Sequence, residues 1–288
     1  MEGLQKDFAE KKTGEIANCF SDRILFNVIR TAICMIVGIL ALAIGNSISD
    51  LRITAEAAQI CFFSALTVVI FNVSWLFSVK NESYMFLCIF TMLGTVVNVI
   101  TSSVVYNEAL RINQCVGMII LVISAYIMSH YNSTVKGKIT KAGMVWLSIC
   151  GLSQGLSDFF QKMYMKEIGG SAAVFNFYTF AMGLVILIVL WGIFRIAERK
   201  TYNNTKRMSL KPAAIYATII AVSLYINSYC KTLAAGILTA AQLYPVLQGL
   251  NLILSSLMAW ILLKEKMNLK SIIGITIAFA ALLIMNLL

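Results

Sequence analysis

Two stretches decide the fold. Tyr106–Gly117 reads YNEALRINQCVG and Leu263–Gly274 reads LKEKMNLKSIIG. In each, a Glu is followed nine residues later by a Gly: Glu108 with Gly117, and Glu265 with Gly274. Both pairs sit where one apolar run ends, a short loop follows and the next run begins. With an offset of 157, Tyr84–His130 lies on Ala241–Leu287. Further upstream Asn72 answers Asn227, and Phe26-Asn27 looks like Phe175-Asn176. Gly3-Leu4 with Asp7-Phe8 looks like Gly155-Leu156 with Asp158-Phe159. The chain is an internal repeat.

The apolar runs are 24–44, 56–79, 84–106, 113–131, 142–165, 171–195, 212–234, 237–263 and 271–288. Runs of this length are read as membrane-spanning helices and are about twice a barrel strand. Four fall in the first half and five in the second. Residues 3–8 match the tail of run 142–165, so the counterpart of Met144–Ser153 falls ahead of Met1. The expectation is an all-α integral membrane protein of two inverted five-helix repeats with the first helix largely missing, hence nine transmembrane helices. The first repeat is placed at 1–131, a linker at 132–141 and the second repeat at 142–288. An odd number of spans per unit inverts the second unit relative to the first. Loop 45–55 with one basic residue, against its mate 196–211 with five, agrees with that. Inverted repeats build many secondary transporters, with the site near mid-membrane.

Composition supports the membrane reading. Of 288 residues, 59% are hydrophobic and 12% are charged, about half the roughly 25% charged residues of a soluble domain. This excludes an ordinary soluble enzyme, and the apolar content excludes disorder. The net charge of +10 is read as basic cytoplasmic loops. No basic stretch is interleaved with aromatics like a nucleic-acid groove. Residues 1–23 and the loops near 80, 132–141, 196–211 and 264–270 carry 17 Lys and Arg, whereas the loops near 52, 111, 162–170 and 231–236 carry five. The positive-inside rule then places the N-terminus in the cytoplasm and Leu288 outside. Arg30, inside the first run, is expected to snorkel to the cytoplasmic side. Ala41-Leu42-Ala43 resembles a signal-peptidase site, but the long charged leader and the continuing spans favour an uncleaved chain. The seven cysteines form no Cys-x-x-Cys pair and read as small buried hydrophobes. His130 alone cannot build a metal site, and no cofactor, metal cluster, catalytic triad or phosphate-cradling loop is expected.

Intramembrane polar residues are the site candidates, because burying them without partners is costly. Tyr244, Gln248, Asn251 and Ser255 step by four, three and four along one helical face. Their repeat mates are Leu87, Thr91, Gly94 and Asn98. Such a stripe lines a cavity or glues helices together. Pro245 is expected to kink its helix. Tyr225, Ser228, Tyr229 and Thr232 share a face of run 212–234; Asn227 and Lys231 share another. Lys231 either snorkels or meets an anionic group. Asn72 and Trp75 mark run 56–79, and Trp75 could stack on an aromatic or cationic solute. Asp158 is either a proton carrier or the partner of Lys162, one turn on. Glu108 and Glu265 read as helix-end residues at the membrane surfaces. Gly151 and Gly155 form a Gly-x-x-x-Gly spacing suited to close helix packing.

On these residues the sequence resembles the drug/metabolite transporter superfamily, in its EamA-like branch. That family carries ten helices as two five-helix inverted repeats. In it, each fourth helix ends in a Glu and a Gly opens the fifth, here Tyr106-Asn107-Glu108 with Gly117 and Leu263-Lys264-Glu265 with Gly274. Thr239–Pro245 looks like the family's ninth helix. The absent first helix departs from the family pattern, as does a charge count that places loop 132–141 inside.

The resemblance implies a secondary-active carrier of a small metabolite or drug-like solute, working by alternating access. Coupling to a proton or counter-solute is expected because nucleotide-binding motifs are absent. The alternative is a truncated or partner-completed membrane protein without transport activity of its own. The expected partners are a small-molecule substrate and the lipid bilayer of the cell membrane, with no nucleic acid and with a homodimer left open.

Overall fold

The computed structural model describes residues 20–45, 51–81, 84–135, 140–198, 210–261 and 268–286. Among these there are nine α-helices and no strand: α1 Phe20–Ile44, α2 Ala55–Asn81, α3 Tyr84–Tyr106, α4 Ile112–Val135, α5 Lys141–Met163, α6 Ala172–Ala197, α7 Leu210–Ile237, α8 Ala240–Ile261 and α9 Leu269–Asn286. A single π-helical segment, Tyr164–Ile168, extends α5 and was not foreseen.

Each apolar run has its helix, and α1, α2, α3, α4, α6 and α7 are long and apolar enough to cross a membrane. The apolar part of α9, Leu269–Met285, is shorter. α5 carries Gln154, Asp158, Gln161 and Lys162 within its span.

Side chains are arranged as lipid demands. Leu40, Ile119, Val185 and Val189 are about half exposed or more, whereas Arg30, Asn98, Asp158, Lys162 and Asn176 are at most 1% exposed. Apolar groups face out and polar groups face in, the reverse of a soluble bundle. Arg30 corrects the expectation that it snorkels. On α1 it shares the buried face of Phe26, Asn27, Cys34 and Gly38, which recurs every three to four residues. Packing turns that face toward neighbouring helices instead of the membrane surface.

The fold divides into two compact units that are not the two halves of the sequence: Met1–Val69 with Phe160–Gly236, and Ile70–Phe159 with Ile237–Leu288.

In the first unit α1 packs along α6. Ser21 N–H donates to the Glu198 carboxylate at 2.9 Å and Phe20 meets Phe194 edge-on at one end. Leu42 clusters with Ala173 and Val174 at the other. The two helices are therefore antiparallel. α7 closes on them through Phe26 with Ala217 and Ile220, and through Cys34 with Phe180 and Tyr225.

In the second unit α4 and α9 meet most intimately. A Cβ on Gly117 would lie 2.7 Å from the Ala281 carbonyl and overlap Met285. A Cβ on Gly274 would lie 2.6 Å from the Met128 side chain, and Ser124 Oγ donates to the Gly274 carbonyl at 2.7 Å. These helices also run antiparallel. α3 crosses α5 with backbone on backbone: a Cβ on Gly94 would sit 2.5 Å from the Gly151 carbonyl, and one on Gly155 would overlap the Gly94 carbonyl. The Gly-x-x-x-Gly spacing is thus a packing device, as expected. Pro245 lies inside α8, which continues past it.

Candidate functional site

In the second unit the polar residues of three helices converge. The end of α3 sets the geometry. Asn107 takes a left-handed conformation, φ 51°, which Asn tolerates better than most residues, and this stops the helix. The chain then turns so that Ser103 Oγ donates to the Glu108 carbonyl at 2.7 Å. The Glu108 carboxylate accepts from the N–H of Ala240, the first residue of α8, at 3.4 Å. A carboxylate there offsets the positive end of the helix. Glu108 is therefore a helix-end residue. It also borders a cavity of about 260 Å³ lined by Arg111, Gln114, Thr239 and Gln242.

One turn into α8, Tyr244 is 1% exposed. Its hydroxyl donates to the Asp158 carbonyl on α5 at 2.8 Å. Gln154 Nε2 donates to the Asp158 carboxylate at 3.2 Å. From α3, Asn98 lies beside Tyr244. Its Oδ1 accepts from Ser102 Oγ at 3.2 Å, and its buried amide nitrogen has no hydrogen-bond acceptor among the described residues. Tyr244, Asp158, Asn98 and Ser102, with the half-buried Gln154, thus form one polar group of donors and acceptors around a buried carboxylate.

The other stripe residues fall elsewhere. Thr91 satisfies itself by donating to the Cys88 carbonyl at 2.8 Å, and Gly94 is a packing contact. Gln248 is half-buried and Asn251 is exposed. The Ser255 side chain and all of Glu265 lie outside the described residues. The two family-type glycines, Gly117 and Gly274, sit in the α4–α9 crossing. Asn72 and Trp75 are 7% and 5% exposed. Trp75 packs on Phe71, ring centroids 5.7 Å apart, inside the apolar core of this unit.

The first unit holds a second polar group, made only of amides and hydroxyls. Asn176 Nδ2 donates to Thr232 Oγ1 at 3.1 Å and to the Ala172 carbonyl at 2.8 Å, and its Oδ1 accepts from Ser228 Oγ at 2.5 Å. Gln161 Nε2 donates to Ser228 Oγ at 3.2 Å, leaving Gln161 Oε1 buried with no donor among the described residues. Tyr229 is half-buried and stacks on Tyr225 at 6.3 Å. Asn227 and Lys231 are half-buried on the other side of α7.

Sequence reading named Ser228 and Thr232 but passed over Gln161, Asn176 and Gln154. The available signal was the step of four and three that puts Gln154, Asp158 and Gln161 on one face of α5. Asn176 showed itself only as the repeat mate of Asn27. The two asparagines bond alike: Asn27 Nδ2 reaches the Arg23 carbonyl at 3.5 Å, four residues back, as Asn176 reaches Ala172.

The family model for the EamA-like transporter family matches the chain twice, over residues 14–130 and 141–287. A search among curated proteins finds no match. A crystal structure of another protein shares the fold, with a TM-score of 0.66 over 98% of this chain and 93% of its own, at 12% identity. Because the two family matches together span most of the sequence, the chain belongs to the EamA-like transporter family and is a multi-pass integral membrane protein.

Proposed function

We propose that the protein is a secondary-active carrier that moves a small metabolite or drug-like solute across the cell membrane by alternating access, coupled to a proton or counter-solute. The observation that carries this reading is the buried polar group around Asp158. Its members lie on helices that otherwise turn apolar surface outward, and polar groups at such depth usually bind or conduct. On this reading Asp158 is the coupling group. The solute is met by Tyr244, Gln248 and Asn251 on α8, by Thr91 and Asn98 on α3, and by Asn72 and Trp75 on α2, while Tyr229, Asn227 and Lys231 on α7 form a separate set of candidates in the first unit.

We also read the architecture as two inverted repeats, 1–131 and 142–288, joined by 132–141, with nine spans. The support is directional. α4 and α9 occupy matching places in the two halves and run antiparallel, as do α1 and α6. The α4–α9 contact is also reciprocal. With the offset of 157, Gly117 answers Gly274 and Ser124 answers Ala281. Gly117 meets Ala281 while Gly274 meets Ser124, as a two-fold relation requires.

Proteoliposomes loaded with a metabolite panel test the proposal. Counterflow of at least one solute is expected. Asp158→Asn should abolish uptake driven by a proton gradient, while Gln248→Ala with Asn251→Ala should depress flux in every mode. If the double variant transports like the wild type, the α8 stripe does not line the pathway.

A further inference from the structure

Helix α6 begins buried. Its first three residues, Ala172, Ala173 and Val174, are 2%, 5% and 3% exposed. The first N–H groups of a helix have no acceptor within it and need one from outside. Ser171 stands at the capping position with an extended backbone, but its side chain caps nothing. The first bond into the helix runs from Phe175 N–H to the Ser171 carbonyl at 3.1 Å. The three preceding N–H groups therefore have no protein acceptor among the described residues.

Ser171 and Val174, at the start of this helix, line a cavity of about 300 Å³ together with Arg52, Thr54, Tyr164 and Gly170, among others. Tyr164 is 2% exposed, and its hydroxyl has no hydrogen-bond partner among the described residues. The π-helical turn Tyr164–Ile168 and the left-handed Gly169, φ 63°, fold the chain back against this ring. At Gly170 a Cβ would come within 2.5 Å of the Tyr164 hydroxyl oxygen, so a glycine is what lets the hydroxyl reach this wall. Thr54 and Ala57 bring the start of α2 to the same cavity; there Thr54 Oγ1 accepts from Ala57 N–H at 3.2 Å. The starts of two helices and Arg52 thus border one space, and none of the described residues lining it is acidic. Arg52 itself is exposed.

We propose that this cavity binds a phosphate group. Buried N–H donors at a helix start favour an anion. Arg52 offers a planar fork for two oxygens and the Tyr164 hydroxyl one more donor. A phosphate supplies enough oxygens to occupy all of these at once; a carboxylate has only two. The rest of the cavity holds whatever the phosphate is attached to, a lipid or a soluble molecule. The site is separate from the polar group around Asp158, and the proposal does not depend on the transport reading.

The test uses the full-length protein purified in detergent and delipidated. Isothermal titration with inorganic phosphate reads the free anion. Native mass spectrometry after adding phosphatidylglycerol reads the lipid. Saturable binding of one or both is expected. Arg52→Gln should weaken it about tenfold or more, and Tyr164→Phe by several-fold. Arg195→Gln, which removes a charge stacked on Trp191 at 5.0 Å, should leave it unchanged. Arg52-dependent binding of inorganic phosphate alone assigns a soluble phosphorylated ligand, and Arg52-dependent binding of the lipid alone assigns a headgroup. Should Arg52→Gln fail to fold, competition in the wild type decides, with sulfate expected to displace the ligand and acetate not. Absence of binding by both measurements overturns the proposal. So does wild-type affinity in both the Arg52 and the Tyr164 variants.

Discussion

Asn176 shows how much one residue can hold in a chain with few polar groups. Its single amide joins α6 to α7 through the half-buried Ser228 and the buried Thr232. Asn176→Ala leaves two hydroxyls short of a partner, a loss of roughly 1–3 kcal/mol for buried groups. Its repeat mate Asn27 has one long bond, to its own helix, at 3.5 Å. Asn176→Ala is therefore expected to lower the melting temperature in detergent clearly, and Asn27→Ala much less. Equal melting of the two variants would mean that the inter-helix bonds do not stabilise the fold. Residue types alone could not separate these two asparagines. Both sit after a Phe in an apolar run, and only the neighbouring helix distinguishes them.

At the level of elements, close approach is decided by glycine. The α3–α5 crossing brings Gly94, Gly151 and Gly155 backbone to backbone, and in α4–α9 Gly117 meets the Ala281 backbone while Gly274 makes room for the Met128 side chain. Without a hydrophobic drive between helices in lipid, such contacts and the hydrogen bonds they allow carry much of the association. Gly155→Ala would push a methyl into the Gly94 carbonyl and to within 2.8 Å of Val97 Cβ. Overpacking of this kind typically costs about 1–3 kcal/mol, and the variant should melt lower and lose monodispersity. A methyl added at Gly192, on α6, would meet nothing within 4 Å. Gly192→Ala should melt at the wild-type temperature or above it, since alanine favours a helix. The Gly-x-x-x-Gly spacing announced one of these crossings from sequence. The glycine that follows each motif glutamate was visible as a pattern, but its partner helix was not, because a repeat reveals equivalence and not contact.

For the whole molecule, the asymmetry of Lys and Arg makes a topological prediction. In a cysteine-free background, Ser133→Cys should be protected from an impermeant maleimide in intact cells, and Leu110→Cys should react. Labelling of Ser133→Cys from outside would reverse the orientation. The charge rule works from loops alone because moving a cluster of cations across a bilayer is costly whatever the helices do in between.

Much of the architecture was legible at this scale. Helix number and limits followed from apolar length, since a bilayer core admits only backbones that satisfy themselves. The match of the two halves followed from Glu108 with Gly117 and Glu265 with Gly274. Less of the candidate site could be read. The stripe on α8 mixes a fully buried Tyr244 with an exposed Asn251, because periodicity defines a face but not what covers it. Arg30 went inward although its length would let it snorkel, since the face it shares with Phe26 and Cys34 is the one that α6 and α7 cover. Local composition dictates what any apolar slab imposes, namely helices and their ends, and the repeated motif marks the match of the two halves. Which polar groups meet is settled by the packing of the helices. That choice depends on crossings a few ångströms wide between helices distant in the chain, and one-dimensional patterning carries no record of such distances.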